Sequence, residues 1–328
     1  MSQHNSSLGE GIRLPCGHDV IREDQPHYCS YIALDALKAL SHVAFWGSPQ
    51  ERPFHNHDEG LFVVVHQICE IDFSRIILRL ELTRAALSEE QLDIASDHLN
   101  RAVAWLSHAT ETIKLLFQMD TSLFMEPKVG FRDLVVPASG AESSCAREIE
   151  ALAGIRADSP YMRIGTRELT FKQVMDIPPG LHDRGSRWWT PEIERRAQEP
   201  SVWSTLRDLL TQKNISLDVA FRLDRQRGIG QVIGGLWRFE KAMLAFRKNH
   251  MRLTAEHFGV AHRRGFIKQA PEEVRGTGAD LQPTSHQSES APPIPSAMKY
   301  LGAIYKTARL FPELYEYMKD KDRTLSEL

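Results

Sequence analysis

His66 follows Phe62 by four residues, and His250 follows Phe246 by four, with Arg247 beside the second pair. Residues four apart share one face of a helix, so each imidazole has an aromatic ring one turn away. Two helices that each carry one histidine among apolar residues could sandwich a flat cofactor. A haem, for example, needs one axial imidazole, an apolar slot and polar groups near its open face. The plainer alternative is a hydrogen-bonded histidine in the core or on the surface, the commoner fate of either residue on composition alone.

The elements that must position these residues read as helices. Apolar residues recur at helical spacing over Tyr31–Val43 and over Leu61–Leu87. His55 and His57 flank the start of the second of these, where they are expected to cap or hydrogen-bond it. Ser88-Glu89-Glu90-Gln91 predicts an N-cap for a helix running to about His108, with a further segment over Glu111–Leu116. Pro127, Gly130 and Pro137 make Met125–Gly140 a loop or short turns, and Ser143–Ala153 is helical again. Tyr161–Asp183 is mixed and broken by Pro178-Pro179-Gly180. Thr190–Gln212 and Ser216–Arg227 predict helices. Gly228–Gly235 predicts a glycine-rich interruption before a long helix over Leu236–Phe258. It is not a dinucleotide loop, because Ile233 stands where G-x-G-x-x-G requires glycine and no clear strand precedes it. Ala261–Ala297 is polar and rich in Pro and Ser, which predicts a long, partly disordered loop. Met298–Met318 closes the chain as a helix interrupted by Pro312. Strand signals are sparse, so the expected fold class is all-α.

Composition narrows the function classes. The 328 residues are 42% apolar and 25% charged, ordinary values for a chain that buries its own core. Net charge is −3, which leaves no basic excess for nucleic acid. No apolar run approaches the roughly 20 residues that span a bilayer, and Met1–Asp24 lacks the apolar centre of a signal peptide. A cytoplasmic protein without a membrane partner is expected. Cys16, Cys29, Cys69 and Cys145 form no C-x-x-C pair and read as reduced, mostly buried thiols.

The segment from His57 to Phe73, HDEGLFVVVHQICEIDF, resembles the H-D-E-x-L-F-I-x-x-H-Q-x-x-E-L-W-F signature of tryptophan 2,3-dioxygenases. Other blocks follow in the family's order. Tyr28–Asp35 is similar to Y-x-x-Y-L-x-L-D, and Ser139–Glu150 to S-G-F-Q-S-x-Q-Y-R-x-I-E. Phe246–His250 with Gly259 is similar to W-R-x-x-H…G, Arg275–Gly278 to R-G-T-G-G, and Phe311–Tyr315 to F-P-E-L-W. The blocks run from Tyr28 to Tyr315, so length, which alone favours two domains, is here read as one helical haem-dependent oxygenase domain over 26–328. Residues 1–25 are expected to form a flexible or intersubunit arm, and about 261–297 a polar insertion.

The resemblance implies a haem b cofactor, O2 as co-substrate and a small aromatic amino acid as substrate. It implies His250 as the axial iron ligand with Phe246 beside the cofactor, His66 as the distal catalytic histidine, and Phe62 as a wall of the aromatic pocket. Arg147 would clamp the substrate carboxylate, since a guanidinium fork matches it bidentately. Thr277 would hold the ammonium and carboxylate end, and Tyr28 and Tyr31 would reach a neighbouring subunit's pocket, which implies a homotetramer or a dimer. His257, seven residues after His250, is expected to be structural.

The departures limit how much function transfers. Two aromatic positions of the Ser139–Glu150 block are Ala141 and Ala146, each a loss of roughly 100 Å² or more of aromatic surface. Asp72 and Phe246 stand where the family has Trp, and Ala279-Asp280 follows Gly278 in the expected lid. The leading expectation is a dioxygenase that inserts O2 across the indole C2=C3 bond of L-tryptophan or a substituted tryptophan. The alternative is a haem-dependent monooxygenase of an aromatic amino acid or indole derivative, and a third class is a haem sensor or carrier.

Overall fold

The computed structural model describes residues 43–44, 51–52, 56–125, 143–175, 190–263 and 297–326. Strands β1 (Val43–Ala44) and β2 (Glu51–Arg52) pair antiparallel, so Val43 lies in an extended pair and not at the end of a helix. Helix α1 (His57–Ser88) is set by Asn56, whose side chain accepts from the amides of Asp58 and Glu59 at 3.0 and 3.1 Å. Asn56 therefore does the capping expected of its histidine neighbours, and His57 is the helix's first residue. Val65, Cys69, Phe73, Ile76, Leu80 and Leu87 are buried at steps of three, four and seven, one continuous stripe against the core.

Helix α2 is Leu92–Lys114. Its expected cap is corrected. Ser88 still belongs to α1 and donates to the Arg84 carbonyl, while Glu90 takes a positive φ of 57° to reverse the chain and Gln91 precedes α2 without a side-chain cap. The apolar stripe of α1 runs to Leu87, so there is no room for a new helix start before that reversal. Nor does α2 stop at His108; it continues through Lys114 into a 3-10 turn over Leu115–Gln118. Ala95, Ala102 and Ala109 are fully buried on its core face, and such small side chains let neighbouring helices approach closely.

Short helix α3 (Thr121–Met125) is followed, beyond a segment outside the described residues, by α4 (Ser144–Ala153), capped by Ser143. Strands β3 (Pro160–Ile164) and β4 (Arg167–Thr170) form an antiparallel hairpin that leads into α5 (Phe171–Met175). Pro200 divides the next helical region into α6 (Pro191–Gln198) and α7 (Val202–Gln212). Then come α8 (Leu217–Arg222) and α9 (Gly228–Arg263).

The glycine-rich stretch is not an interruption; it is the first two turns of α9. A Cβ on Gly230 would lie 1.9 Å from the Asp224 carbonyl oxygen, and one on Gly235 would lie 3.1 Å from Leu99 of α2. These glycines serve close packing, a tertiary gain that outweighs their low helix propensity. Helices α10 (Ala297–Thr307) and α11 (Pro312–Ser326) close the chain, with Pro312 tolerated at the first turn of α11. Among the described residues the fold is all-α apart from two antiparallel strand pairs, and no helix is long and apolar enough to cross a membrane.

Candidate active site

Both histidine-bearing helices, α1 and α9, pack mainly on α2 and not on each other. Side chains bridge the space between them. The ring of Phe73 meets Phe246 edge-on at 5.4 Å, while Phe124 stacks on Phe62 at 5.9 Å and meets His257 at 5.8 Å. The low-numbered end of this stretch of α1 thus matches the high-numbered end of α9, so the helices run antiparallel. Phe62 to Phe73 and Phe246 to His257 are each eleven residues, a rise of about 16 Å. His66 and His250 both fall between those two aromatic levels.

His250 lines a partly open cleft between α4, α9 and α10. Phe73, Met243, Phe246, Leu301 and Ile304 make the wall mostly apolar, and Arg147 and Arg247 place two guanidinium groups in it. Burial, reinforced by the charges of His66 and Arg147, pushes the His250 imidazole down to about 4. It is neutral at physiological pH, and neither ring nitrogen has a hydrogen-bond partner among the described residues. That donor set fits a haem: one neutral, uncommitted imidazole, an apolar wall, and two helices held apart by side chains.

His66 is also held neutral by burial. Its Nδ1 lies 2.7 Å from the Phe62 carbonyl, which can only accept, so Nδ1 carries the proton and Nε2 keeps its lone pair. The Phe62 ring stands 4.1 Å from the imidazole. His66 and Phe62 do not themselves line the cleft around His250. They are joined to it by the charge His66 would exert on His250 and, two turns along the same face, by Phe73.

His257, by contrast, is buried with both nitrogens engaged, Nε2 to the Leu116 carbonyl at 3.0 Å and Nδ1 to Thr121 Oγ1 at 3.3 Å. It is structural.

Arg147 reaches the cleft wall from α4, but its Nη1 is already engaged. It lies 2.9 Å from Glu150 Oε2, one turn on, and donates to the Tyr161 hydroxyl. Tyr161 donates to the same Glu150 oxygen at 2.7 Å, and Arg247 Nη2 holds the other oxygen at 2.7 Å. Arg247 Nη1 donates to the Ala308 carbonyl. Sequence reading missed Glu150 and Tyr161 as site residues. The i, i+3 spacing of Arg147 and Glu150 was a usable signal, whereas nothing local marks Tyr161, which the β3–β4 hairpin brings in.

Of the departures, Ala146 lines the cleft, so the missing aromatic ring leaves space there. Asp72 does not line it. It is buried against α2, with the Nδ1 of His108 at 2.8 Å, and its carboxyl is pushed up by burial. Cys69 and Cys145 are free thiols pushed up to about 12 and 11, again by burial first, so neither is a ready nucleophile. Tyr28, Tyr31, Thr277, Ala141, Cys16, Cys29, the arm 1–25, and residues 264–296 of the expected insertion lie outside the described residues.

The model of the family described as tryptophan 2,3-dioxygenase matches residues 16–177. That likeness covers just under half of the chain, and several curated proteins of the same description are similar to it. It is 27% identical over 202 residues to the tryptophan 2,3-dioxygenase of Bdellovibrio bacteriovorus, covering 57% of this chain and 53% of that one. It is 31% identical over 197 residues to that of Sorangium cellulosum, covering 58% and 44%. It is 30% identical over 158 residues to tryptophan 2,3-dioxygenase 2 of Ralstonia nicotianae, covering 47% and 40%. The chain spans about half the length of the curated relatives it matches. The family match takes in Phe62, His66 and Arg147 but ends before His250, so the second half of the site stands on its motif and its geometry.

Proposed function

We propose that this chain is a haem-dependent dioxygenase that inserts both atoms of O2 across the indole C2=C3 bond of L-tryptophan or a ring-substituted tryptophan, giving an N-formylkynurenine-type product. One observation carries the reading: the neutral His250 imidazole stands on the cleft wall without a hydrogen-bond partner among the described residues, as an axial ligand requires. Haem, when bound, supplies the activation of O2. The protein supplies orientation, charge and the exclusion of water. His250 would hold the iron, with Phe246 beside it on the cleft wall. His66, protonated at Nδ1 by its bond to the Phe62 carbonyl, presents Nε2 as acceptor for the indole N–H. Phe62 packs on the indole side of that histidine. Arg147 receives the substrate carboxylate, and Thr277 the ammonium and carboxylate end.

Ala146 supports a ring larger than unsubstituted indole, because it leaves open a wall position that an aromatic side chain fills in the family motif. It also keeps the monooxygenase reading in play. A haem sensor or carrier is the weaker alternative, since it has no need of a guanidinium in the cleft. Tyr28 and Tyr31 would complete a neighbour's site in a homotetramer or dimer, the arm 1–25 lying between subunits. The chain would work in the cytoplasm.

The test is turnover of a panel of tryptophans and tyrosine by the ferrous protein under 18-O2. Two labelled atoms in a formylkynurenine-type product are expected. One labelled atom would establish the monooxygenase instead, and no product from any member, with no spectral response to any of them, would overturn the enzyme reading.

A further inference from the structure

Arg147 is proposed to clamp the substrate's carboxylate, and its guanidinium is not left to find its own position. Glu150 lies one turn further along α4, almost fully buried with a side-chain exposure of 2%. Its Oε2 takes both the Arg147 Nη1 and the Tyr161 hydroxyl, and its Oε1 takes Arg247 Nη2. Tyr161 comes from β3 and is fully buried, and Arg247 comes from α9, three residues before His250, with its own Nη1 tied to the Ala308 carbonyl. Three separate elements therefore converge on one carboxylate, and that carboxylate fixes one nitrogen of the Arg147 fork.

From this convergence we infer that Glu150, held by Tyr161 and Arg247, is a positioning residue that pre-sets the Arg147 guanidinium at the cleft wall for the carboxylate of an amino-acid substrate. The inference rests on the assignment of Arg147 as the carboxylate clamp. A free arginine side chain loses many rotamers when it binds, and a guanidinium already anchored at one nitrogen has lost them on folding. The same anchoring links substrate binding to the ligand helix, because Arg247 and His250 are one turn apart on α9.

The variant Glu150→Gln keeps an acceptor for Arg247 but turns an amide N–H₂ toward Arg147, which no longer has a carboxylate to hold it. The haem-loaded protein is titrated with L-tryptophan and, separately, with tryptamine, which has the same ring and amine but no carboxylate. Ligand binding is read from the Soret band. Glu150→Gln is expected to raise the dissociation constant for L-tryptophan about three- to tenfold and to leave that for tryptamine unchanged, with haem retention equal to the wild type. Tyr161→Phe, which leaves the Glu150 charge in place, is expected to give a smaller rise of about twofold for L-tryptophan alone. It carries the test by itself where Glu150→Gln yields no haem-loaded protein.

Equal changes for both ligands, no change for either, or tighter L-tryptophan binding would overturn the positioning role, the last by showing that Glu150 competes with the substrate. A wild-type protein that binds L-tryptophan no better than tryptamine would instead overturn the Arg147 clamp, and the positioning role with it.

Discussion

His250 and His257 sit two turns apart on one side of the same helix, and both are held neutral by burial. Everything else about them differs. His257 has a carbonyl on one nitrogen and a hydroxyl facing the other, so its bonding capacity is spent inside the fold. His250 has an aromatic ring beside it, a guanidinium charge near it and open cleft in front of it. A neutral imidazole with no partner inside the fold keeps its lone pair available for a ligand. The contrast separates a histidine that serves the fold from one that awaits something outside it.

The largest effect that could break this contrast is on haem. His250→Ala is expected to abolish haem retention, with loss of the Soret band and of iron after gel filtration. His257→Ala is expected to keep both and to lose about 1–3 kcal/mol of folding stability from two buried hydrogen bonds, read by urea denaturation. Haem lost from His257→Ala and kept by His250→Ala would reverse the assignment.

Acid titration of the haem-free chain sharpens it. The unfolded His250 binds a proton near pH 6.5, the folded one only near 4. Between these values the unfolded chain carries more protons, so stability falls as pH drops from about 6.5 toward 4. The contribution of this residue reaches about 3 kcal/mol. His250→Asn should remove about one proton's worth of that slope, measured by denaturation at several pH values. An unchanged slope would mean that the imidazole is not as desolvated as its surroundings require.

Arg147 distinguishes the two histidines next. Its charge presses on His250 and is not among the influences on His257. Arg147→Ala is expected to move the His250 titration upward by NMR and leave His257 in place. The same change should weaken binding of the amino-acid substrate by about 1.5–3 kcal/mol, the loss of a charge-assisted pair.

How much of this was legible beforehand follows from the range of each interaction. The helices around Phe62/His66 and Phe246/His250 could be read because their apolar residues recur locally. The helix after Ser143 could be read for the same reason, whereas Pro312, which reads as an interruption, in fact begins α11. The start of α2 could not, since the reversal depends on a left-handed Glu90, a conformation uncommon for that residue. The glycine run of α9 looks like a break until Leu99 and the Asp224 carbonyl are placed against it. Asp72 stands in a motif position that invites a role in the site, yet its partner is His108, thirty-six residues away on α2. Glu150 lies inside a recognisable block, but its meaning depends on Tyr161 and Arg247, which no spacing rule connects.

The smallest expected effect concerns an unsatisfied buried carboxyl on α9. Glu240 is fully buried. Its Oε2 accepts the amides of Leu310 and Phe311, while its Oε1 has no hydrogen-bond partner among the described residues. Burial pushes its carboxyl up, against the opposing pull of Arg247 and of the two amides. Below about pH 4.5 the carboxyl is protonated in folded and unfolded chains alike. Above that the unfolded chain ionises first, so this residue subtracts stability as pH rises, until the folded carboxyl ionises as well. That is opposite in sign to His250. Glu240→Gln keeps the acceptor for Leu310 and Phe311 and removes the ionisation. At neutral pH its net effect should stay within about 1 kcal/mol, because two amide hydrogens without an acceptor offset the relief. The difference in stability between variant and wild type should nonetheless grow in the variant's favour as pH rises above 4.5. A difference that stays flat with pH would show that Glu240 is charged throughout and answered by Arg247. The unpaired oxygen of Glu240 would then belong with His257, as part of the fold's own bonding, and not with His250.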